Sequence, residues 1–356
     1  MLPYWLLFGI VSWMALNERG GTGLSYKGWS VNWYFLLYFL ILLIGLRHKV
    51  GGDWGSYLLK VNDQQNISLL QAFTISDPGY AVTNWFAVRS GFGIYFTNTV
   101  CASIFSFGLI EFCRMQPRPW LGAVVAVPYL IIVVAMGYTR QGTAIGFTML
   151  AFVALQEKST RNFILYIILA SCFHKTAIIL MPLIAVMRQD KMFINVLWSI
   201  LFGFLLYAVF MESSIERLKM NYFEREMTSL GAGVRVAMNG FPAVFFILFR
   251  NSFGIPKEDK LFWIGVSIMS ILFLFLVNIL TSTTIIDRLA LYLIPIQIYV
   301  FSRLPELFGE RHSVGGIFVL CVIAYSAVVQ FVWLFFATHS HWWLPYQFYP
   351  LVWLFE

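Results

Sequence analysis

The chain has 356 residues, 60% of them hydrophobic and only 12% charged, with a mean hydropathy of +0.76. Soluble domains carry about 25% charged residues, so a water-exposed globule, a coiled coil, a disordered chain and a disulfide-rich secreted domain are excluded. The formal net charge of +7 is spread through the chain with no Lys/Arg-rich block to hold nucleic acid; membrane proteins keep such cations in their loops.

Apolar runs follow one another from end to end. They cover 2–16, 31–46, 92–113, 119–136, 141–155, 162–173, 174–187, 192–211, 236–249, 261–280, 289–302 and 314–337. A span needs about 20 apolar residues, so the pattern predicts an all-α, polytopic transmembrane helical bundle of about twelve spans, roughly 10 to 14. A β-barrel would show short alternating segments instead. The first run has no basic n-region and no small-x-small site before Asn17, so it reads as a span and not as a signal peptide. Cys101, Cys113, Cys172 and Cys321 all lie in apolar runs and read as small hydrophobes. The stretch 162–187 is either one long helix or two half-helices meeting near His174. Pro128, Pro182, Pro242 and Pro295 fall inside runs, where neighbouring helices absorb kinks. No internal repeat is visible. Residues 1–356 read as a single integral membrane domain with polar external segments at 47–80, 212–235 and 338–356.

With both termini outside, the cytoplasmic connections hold 13 of the 24 Lys/Arg residues and the external side 11. That is a slight bias in the expected direction. Five external cations, Arg47, Lys49, Arg140, Lys175 and Arg288, sit at the mouths of apolar runs. External Arg works against the topogenic signal, and a polyanionic ligand on the outer side would account for it.

Six stretches carry candidate chemistry. In LRHKVGGDWGSYLL, residues 46–59, Asp53 and Tyr57 fall at i,i+4 after a glycine pair. The plainer reading is an interfacial cap with a snorkelling Arg. In GYTRQGTAIGF, residues 137–147, Arg140 and Gln141 occupy a very tight turn, and Gly142, Ala144 and Gly146 allow close backbone approach. In ASCFHKTAIILMP, residues 170–182, His174 and Lys175 interrupt an apolar run. If the chain turns there, both lie at the outer boundary; if not, both lie near the midplane. In TSTTIIDRLALYLIP, residues 281–295, Tyr292 is i,i+4 from Arg288 and Asp287 stands beside it. The loop ESSIERLKMNYFERE, residues 212–226, reads as a solvated amphipathic helix or as a lid. The tail HSHWWLPYQFYP, residues 339–350, reads as an interfacial aromatic belt, with sugar stacking on Trp342 or Trp343 as the sharper alternative. No P-loop, GxSxG elbow, HExxH or CxxC is present.

Taken in order, these motifs resemble the EpsG family, the Wzy-like polymerases of bacterial exopolysaccharide and O-antigen. Arg47, Gly52, Asp53 and Tyr57 are similar to the family's Arg, Gly-Asp and Tyr. Arg140, Gln141 and Ala144 resemble its Arg-Gln with Ala. Phe173, His174, Thr176, Ala177 and Pro182 resemble its Phe-His, Thr-Ala and Pro. Arg288 and Tyr292 resemble an Arg then Tyr opening a late span, and Trp343, Pro345 and Tyr346 its closing W-x-P-Y.

The resemblance implies a membrane glycosyltransferase with a glycosyltransferase C-like architecture in the bacterial cytoplasmic (inner) membrane, its active site facing the outer side. Its substrates would be undecaprenyl-diphosphate-linked oligosaccharides, and membrane lipid would surround it. A growing glycan would pass to the sugar hydroxyl of a new lipid-linked repeat unit. A chain-length co-polymerase is the partner the family implies. Diphosphate departure needs preorganised cations, and Arg suits that by its planar fork of donors. Arg47, Arg140 and Arg288 are the expected diphosphate ligands, with Lys175 assisting. Asp53 and His174 are the candidate general bases; Tyr57, Gln141 and Tyr292 would position groups by hydrogen bonds. No cofactor and no metal site is expected; Asp53 and Asp287 are the acids a divalent cation would use. The alternatives are an O-antigen ligase and a transporter or flippase of lipid-linked oligosaccharide.

Overall fold

The computed structural model describes residues 1–18, 28–75, 77–183, 231–280, 283–308 and 312–355, with helices and turns throughout. The chain divides into two compact units, Met1–Lys175 with Phe301–Glu356, and Thr176–Val300. The run expected at 192–211 and the polar loop 212–226 lie outside the described residues.

The first unit contains α1 (Leu2–Leu16), α2 (Val31–Gly45), α3 (Trp54–Asn62), α4 (Leu69–Thr74), α5 (Pro78–Arg89), α6 (Ile94–Arg114), α7 (Pro119–Ala126), α8 (Thr139–Gln156) and α9 (Thr160–Phe173). Local chemistry sets several starts. Ser68 and Gln71 form a reciprocal capping box on α4. Pro78 and Pro119 occupy first helical positions, where a missing N–H costs nothing. The backbone of α7 continues into a π-helical run, Val127–Ala135, in which every residue is buried.

That run and α8 form the centre of the unit. α8 packs on α6 and α9, and α6 also packs on α2. The α6–α8 crossing is a backbone contact: a Cβ on Gly108 would stand 2.1 Å from the Gly146 carbonyl oxygen. Outer helices turn apolar side chains outward instead, as with Phe35, Tyr38 and Leu42 of α2. Such faces suit lipid contact and not water.

The second unit contains α10 (Ala232–Phe249), α11 (Lys257–Ile279) and α12 (Thr283–Ala290), then a 3-10 turn at Leu291–Leu293. Its core is aromatic. Trp263 stacks on Tyr299 at 3.8 Å between ring centroids, and Phe246 meets Phe253 edge-on. Polar ties lock the helices: Asn239 Nδ2 donates to the Ala290 carbonyl and Gln297 Nε2 donates to Asn239 Oδ1, both at 2.7 Å. The chain leaves through α13 (Pro295–Phe301), and the first unit resumes in α14 (Leu304–Phe308), α15 (His312–Phe336) and α16 (Tyr349–Phe355).

Among the described residues four helices are long and apolar enough to cross a membrane: Ile94–Arg114, Ala232–Phe249, Lys257–Ile279 and Gly315–Phe336. The bent pair Thr283–Leu293 with Pro295–Phe308 makes a fifth if it is one span. Other predicted runs form shorter apolar helices: Leu2–Leu16, Val31–Gly45, Pro119–Ala135 and Thr160–Phe173. At 1.5 Å per residue such helices fall short of an untilted crossing. The described residues are helical, and the long apolar helices mark a multi-pass membrane protein.

The crossing of α6 and α8 makes a test. Gly108→Ala forces the two backbones apart, and overpacking of this kind costs about 1–3 kcal/mol. Its expected outcome is a lower melting temperature in detergent, while Gly28→Ala, whose Cβ meets nothing within 4 Å, leaves melting unchanged.

Candidate active site

The site-bearing end of the first unit is built from helix ends. There α2 and α9 finish and α5, α6 and α8 begin, so cations, acids and backbone polar groups meet where the apolar runs stop.

Arg47 is the buried foundation. Its side chain lies inside at 1% exposure. Nη1 donates to the Ile44 carbonyl at 2.5 Å and Nε to the Val50 carbonyl at 3.3 Å. Nη2 donates to Thr139 Oγ1 at 2.7 Å and to Asn98 Oδ1 at 3.4 Å. The loop around it is wound tightly: Lys49 has φ +52° and Gly51 φ +102°. A Cβ on Gly51 would stand 2.6 Å from the Met136 carbonyl, so this position needs glycine.

The tail closes over the loop. His48 N donates to the Gln347 carbonyl and Gly51 N to the Trp342 carbonyl, each at 2.9 Å, and Tyr349 N returns a bond to the Leu46 carbonyl at 2.8 Å. Trp343 is buried and donates from Nε1 to the Ile132 carbonyl at 2.7 Å; Tyr346 donates its hydroxyl proton to the Leu43 carbonyl at 2.7 Å. The belt expected of this tail is therefore corrected for Trp343: at 2% exposure it is a packing anchor, closed to lipid and to sugar. Trp342 stays half exposed.

Beside Thr139 stands Arg140, in the first turn of α8. Its Nη1 pairs with Asp77 Oδ2 at 2.5 Å. Asp77 sits just ahead of α5 with φ +61°, and its carboxylate caps nothing in that helix. Its other oxygen, Oδ1, accepts the Lys175 backbone N–H at 3.1 Å. Tyr57 of α3 lies within electrostatic reach of the Arg140 side chain. The Tyr80 ring lies 5.8 Å from that of Tyr57, and the Arg140 guanidinium carbon 5.9 Å from the Tyr80 centroid.

Electrostatics mark the same place. Burial, and then the Asp53 carboxylate, push the Tyr57 phenol up to about 12, with Arg140 opposing. Burial, and then Arg140, lower Lys60, while Asp77, Asp63 and Asp53 act the other way. Cationic and anionic groups here feel one another directly.

Of the residues singled out by sequence, Arg47, Asp53, Tyr57, Arg140, Gln141, His174 and Lys175 belong to the first unit. Gln141 is buried at 3% exposure, whereas Asp53, His174 and Lys175 are partly open. The choice at 162–187 is decided for a break. α9 ends at Phe173, His174 is extended, and a 3-10 turn runs from Lys175 to Leu180. Arg288 and Tyr292 belong to the second unit. There the Tyr292 hydroxyl is 3.1 Å from Thr176 Oγ1, and Asp287 takes a two-point pair from Arg235 at 2.8 and 2.6 Å.

Asp77, Tyr80, Asn98 and Thr139 were missed by sequence reasoning. Asp77 had a signal: an acid directly before Pro-Gly marks a helix start. Asn98 had another, as a carboxamide inside an apolar run. Thr139 had none.

Apolar helices crossing a membrane, with a buried cationic brace and an Arg–Asp pair at helix ends, define a multi-pass membrane protein whose polar centre is suited to an anionic substrate. The EpsG family model matches residues 31–348, nearly the whole chain, and the chain belongs to the EpsG family. Membership gives a membrane protein of polysaccharide biosynthesis, of the glycosyltransferase-like polymerase type. No curated protein and no solved structure matches the chain.

Removing the Arg47 side chain takes a donor from four acceptors, of which Asn98 Oδ1 keeps the Thr139 hydroxyl, at about 1–3 kcal/mol for each left buried without a partner. Arg47→Met is therefore expected to lower the detergent melting temperature well beyond Lys49→Met, whose side chain is exposed. Equal melting of the two variants would contradict the bracing role.

Proposed function

We propose that this protein is a polysaccharide polymerase. It transfers a growing glycan from undecaprenyl diphosphate to the sugar hydroxyl of a new lipid-linked repeat unit, on the outer leaflet of the bacterial cytoplasmic membrane. The observation that carries this reading is Arg140. Its guanidinium stands at a helix start where apolar packing ends, 27% exposed, with one edge on Asp77. A permanently charged planar donor in that place suits a diphosphate carried by a membrane-buried lipid.

In this reading the chain crosses the membrane about twelve times, roughly as its run of apolar segments implies, in a glycosyltransferase C-like arrangement. The shorter apolar helices act as partial spans or cross where the bilayer thins. Arg140 grips the diphosphate as negative charge builds on the leaving oxygen, with Lys175 adding charge. Arg288 and Tyr292 are proposed as further substrate contacts on the strength of their family motif. Arg47 acts from behind by holding Thr139, and with it the first turn of α8. Asp53 and His174, both partly open, are the acids and bases proposed to handle the acceptor hydroxyl.

The test uses purified protein in liposomes with lipid-linked repeat units and neither nucleotide nor ion gradient. Lengthening of the glycan is the expected result. Arg140→Ala is expected to slow it by about 10²–10³-fold, the size of effect seen when one oxyanion donor is removed. Arg140→Lys restores little, because Lys lacks the fork. Transfer to a lipid A core without lengthening would instead identify a ligase, and uptake without a new glycosidic bond a transporter.

A further inference from the structure

We propose that Asp77 accepts the proton of the acceptor hydroxyl, and that the lipid diphosphate switches it on by drawing Arg140 away. The inference rests on the polymerase reading above; it moves the proton-accepting role from Asp53 and His174 to Asp77, leaves those two to orient the acceptor, and adds an order of binding.

Four observations point to Asp77. First, the carboxylate touches two motif residues at once: Arg140 through Oδ2 and the Lys175 backbone N–H through Oδ1. It thus sits between the Arg-Gln motif and the break at His174. Second, access is unequal. The Arg140 side chain is 27% exposed and that of Asp77 only 5%. An incoming anion meets Arg140 first, and Asp77 cannot be approached while the pair is closed. Third, the guanidinium is not saturated: its Nε is buried with no hydrogen-bond partner. Fourth, Asp77 holds a left-handed backbone conformation, the region that favours glycine. Its carboxylate does not cap α5.

The chemistry follows from competition for one guanidinium. A carboxylate held by Arg is a poor base, because the cation favours its charged form. Diphosphate brings more negative charge and more acceptor oxygens than one carboxylate, so it wins the fork. Asp77 then keeps the Lys175 N–H on Oδ1, and its Oδ2, released by Arg140, is open to accept from the acceptor hydroxyl. The acceptor hydroxyl oxygen forms the new bond to the anomeric carbon. The bond from that carbon to the phosphate oxygen breaks, and its electron pair leaves with the lipid diphosphate on Arg140. The hydroxyl proton goes to Asp77. It passes to water when the product leaves and the Arg140–Asp77 pair re-forms. The donor must therefore bind before the acceptor is activated.

The test separates binding from transfer. Asp77→Asn keeps an oxygen for the Lys175 N–H but loses the charge that competes for Arg140. Detergent-purified D77N is expected to bind undecaprenyl diphosphate several-fold more tightly than the parent. Its transfer rate at saturating donor is expected to fall by about 10²-fold or more, the usual scale for a lost general base. Asp77→Ala supplies the second readout: added formate should restore part of its transfer rate at saturating donor. If D77N binds undecaprenyl diphosphate more weakly, or transfers at the parental rate, or if formate restores nothing in D77A, Asp77 is a structural tie and the proposal falls. If the parent protein neither binds undecaprenyl diphosphate nor lengthens glycan, it is the polymerase reading that fails.

Discussion

Burial of the Arg47 guanidinium constrains everything around it. An ionised group inside protein is tolerated only when its donors are satisfied. Here no carboxylate does this; two carbonyls, a carboxamide and a hydroxyl do. Those acceptors come from the end of α2, the loop after it, α6 and α8. Each must keep its place or leave a buried charge exposed to apolar surroundings. The tail adds its own bonds across the same loop. Arg140 inherits this rigidity, because it follows Thr139 in the first turn of α8. In the proposed reaction a side chain that meets a flexible lipid carrier is thereby mounted on a fixed backbone, which is what preorganised charge stabilisation requires.

Composition made the helical membrane class plain, because too little charge exists to cover a soluble surface. The motif residues of the first unit were also legible as interruptions: Arg140 and His174 stand out in apolar surroundings. Their roles were less so. Arg47 looked like a ligand at a mouth, yet position along the chain says nothing about which way a side chain turns, and this one turns inward. Asp77 escaped notice because its neighbourhood is polar, where one more acid attracts no attention. It became significant only through its distance to Arg140, a contact spanning 63 residues. Trp343 followed the same logic in reverse. Aromatic richness suggested a membrane boundary, but the Ile132 carbonyl in the π-helical run offered its indole N–H a partner inside.

The two ends of the first unit differ in how their charges are held. Away from the site, Arg118 pairs with Glu306 at 2.9 Å, Arg114 with Glu111 at 2.8 Å, and Arg303 meets Gln116. The Glu18 carboxylate accepts the Trp120 N–H at the start of α7, where a helix favours negative charge. Burial, with these hydrogen bonds opposing, moves it up to about 7. Opposite charges there are matched locally, side chain to side chain. The site end is different in kind: Arg47 is held without an acid, and Asp77 is asked to serve Arg140 and a backbone N–H together.

That contrast bears on the substrate. The starts of α5 and α8 both meet at the Arg140–Asp77 pair, and helix starts carry partial positive charge. Placing Arg140 there adds cation to cation, which a helix by itself disfavours. Asp77 offsets part of the excess, Asp53 and Asp63 add negative charge around Tyr57 and Lys60, and Arg47 adds positive charge. The Arg140 guanidinium keeps one donor, Nε, buried without a hydrogen-bond partner. In the proposed reaction the diphosphate, and not a neutral sugar, answers that positive charge, and the contact is lost when the lipid carrier departs.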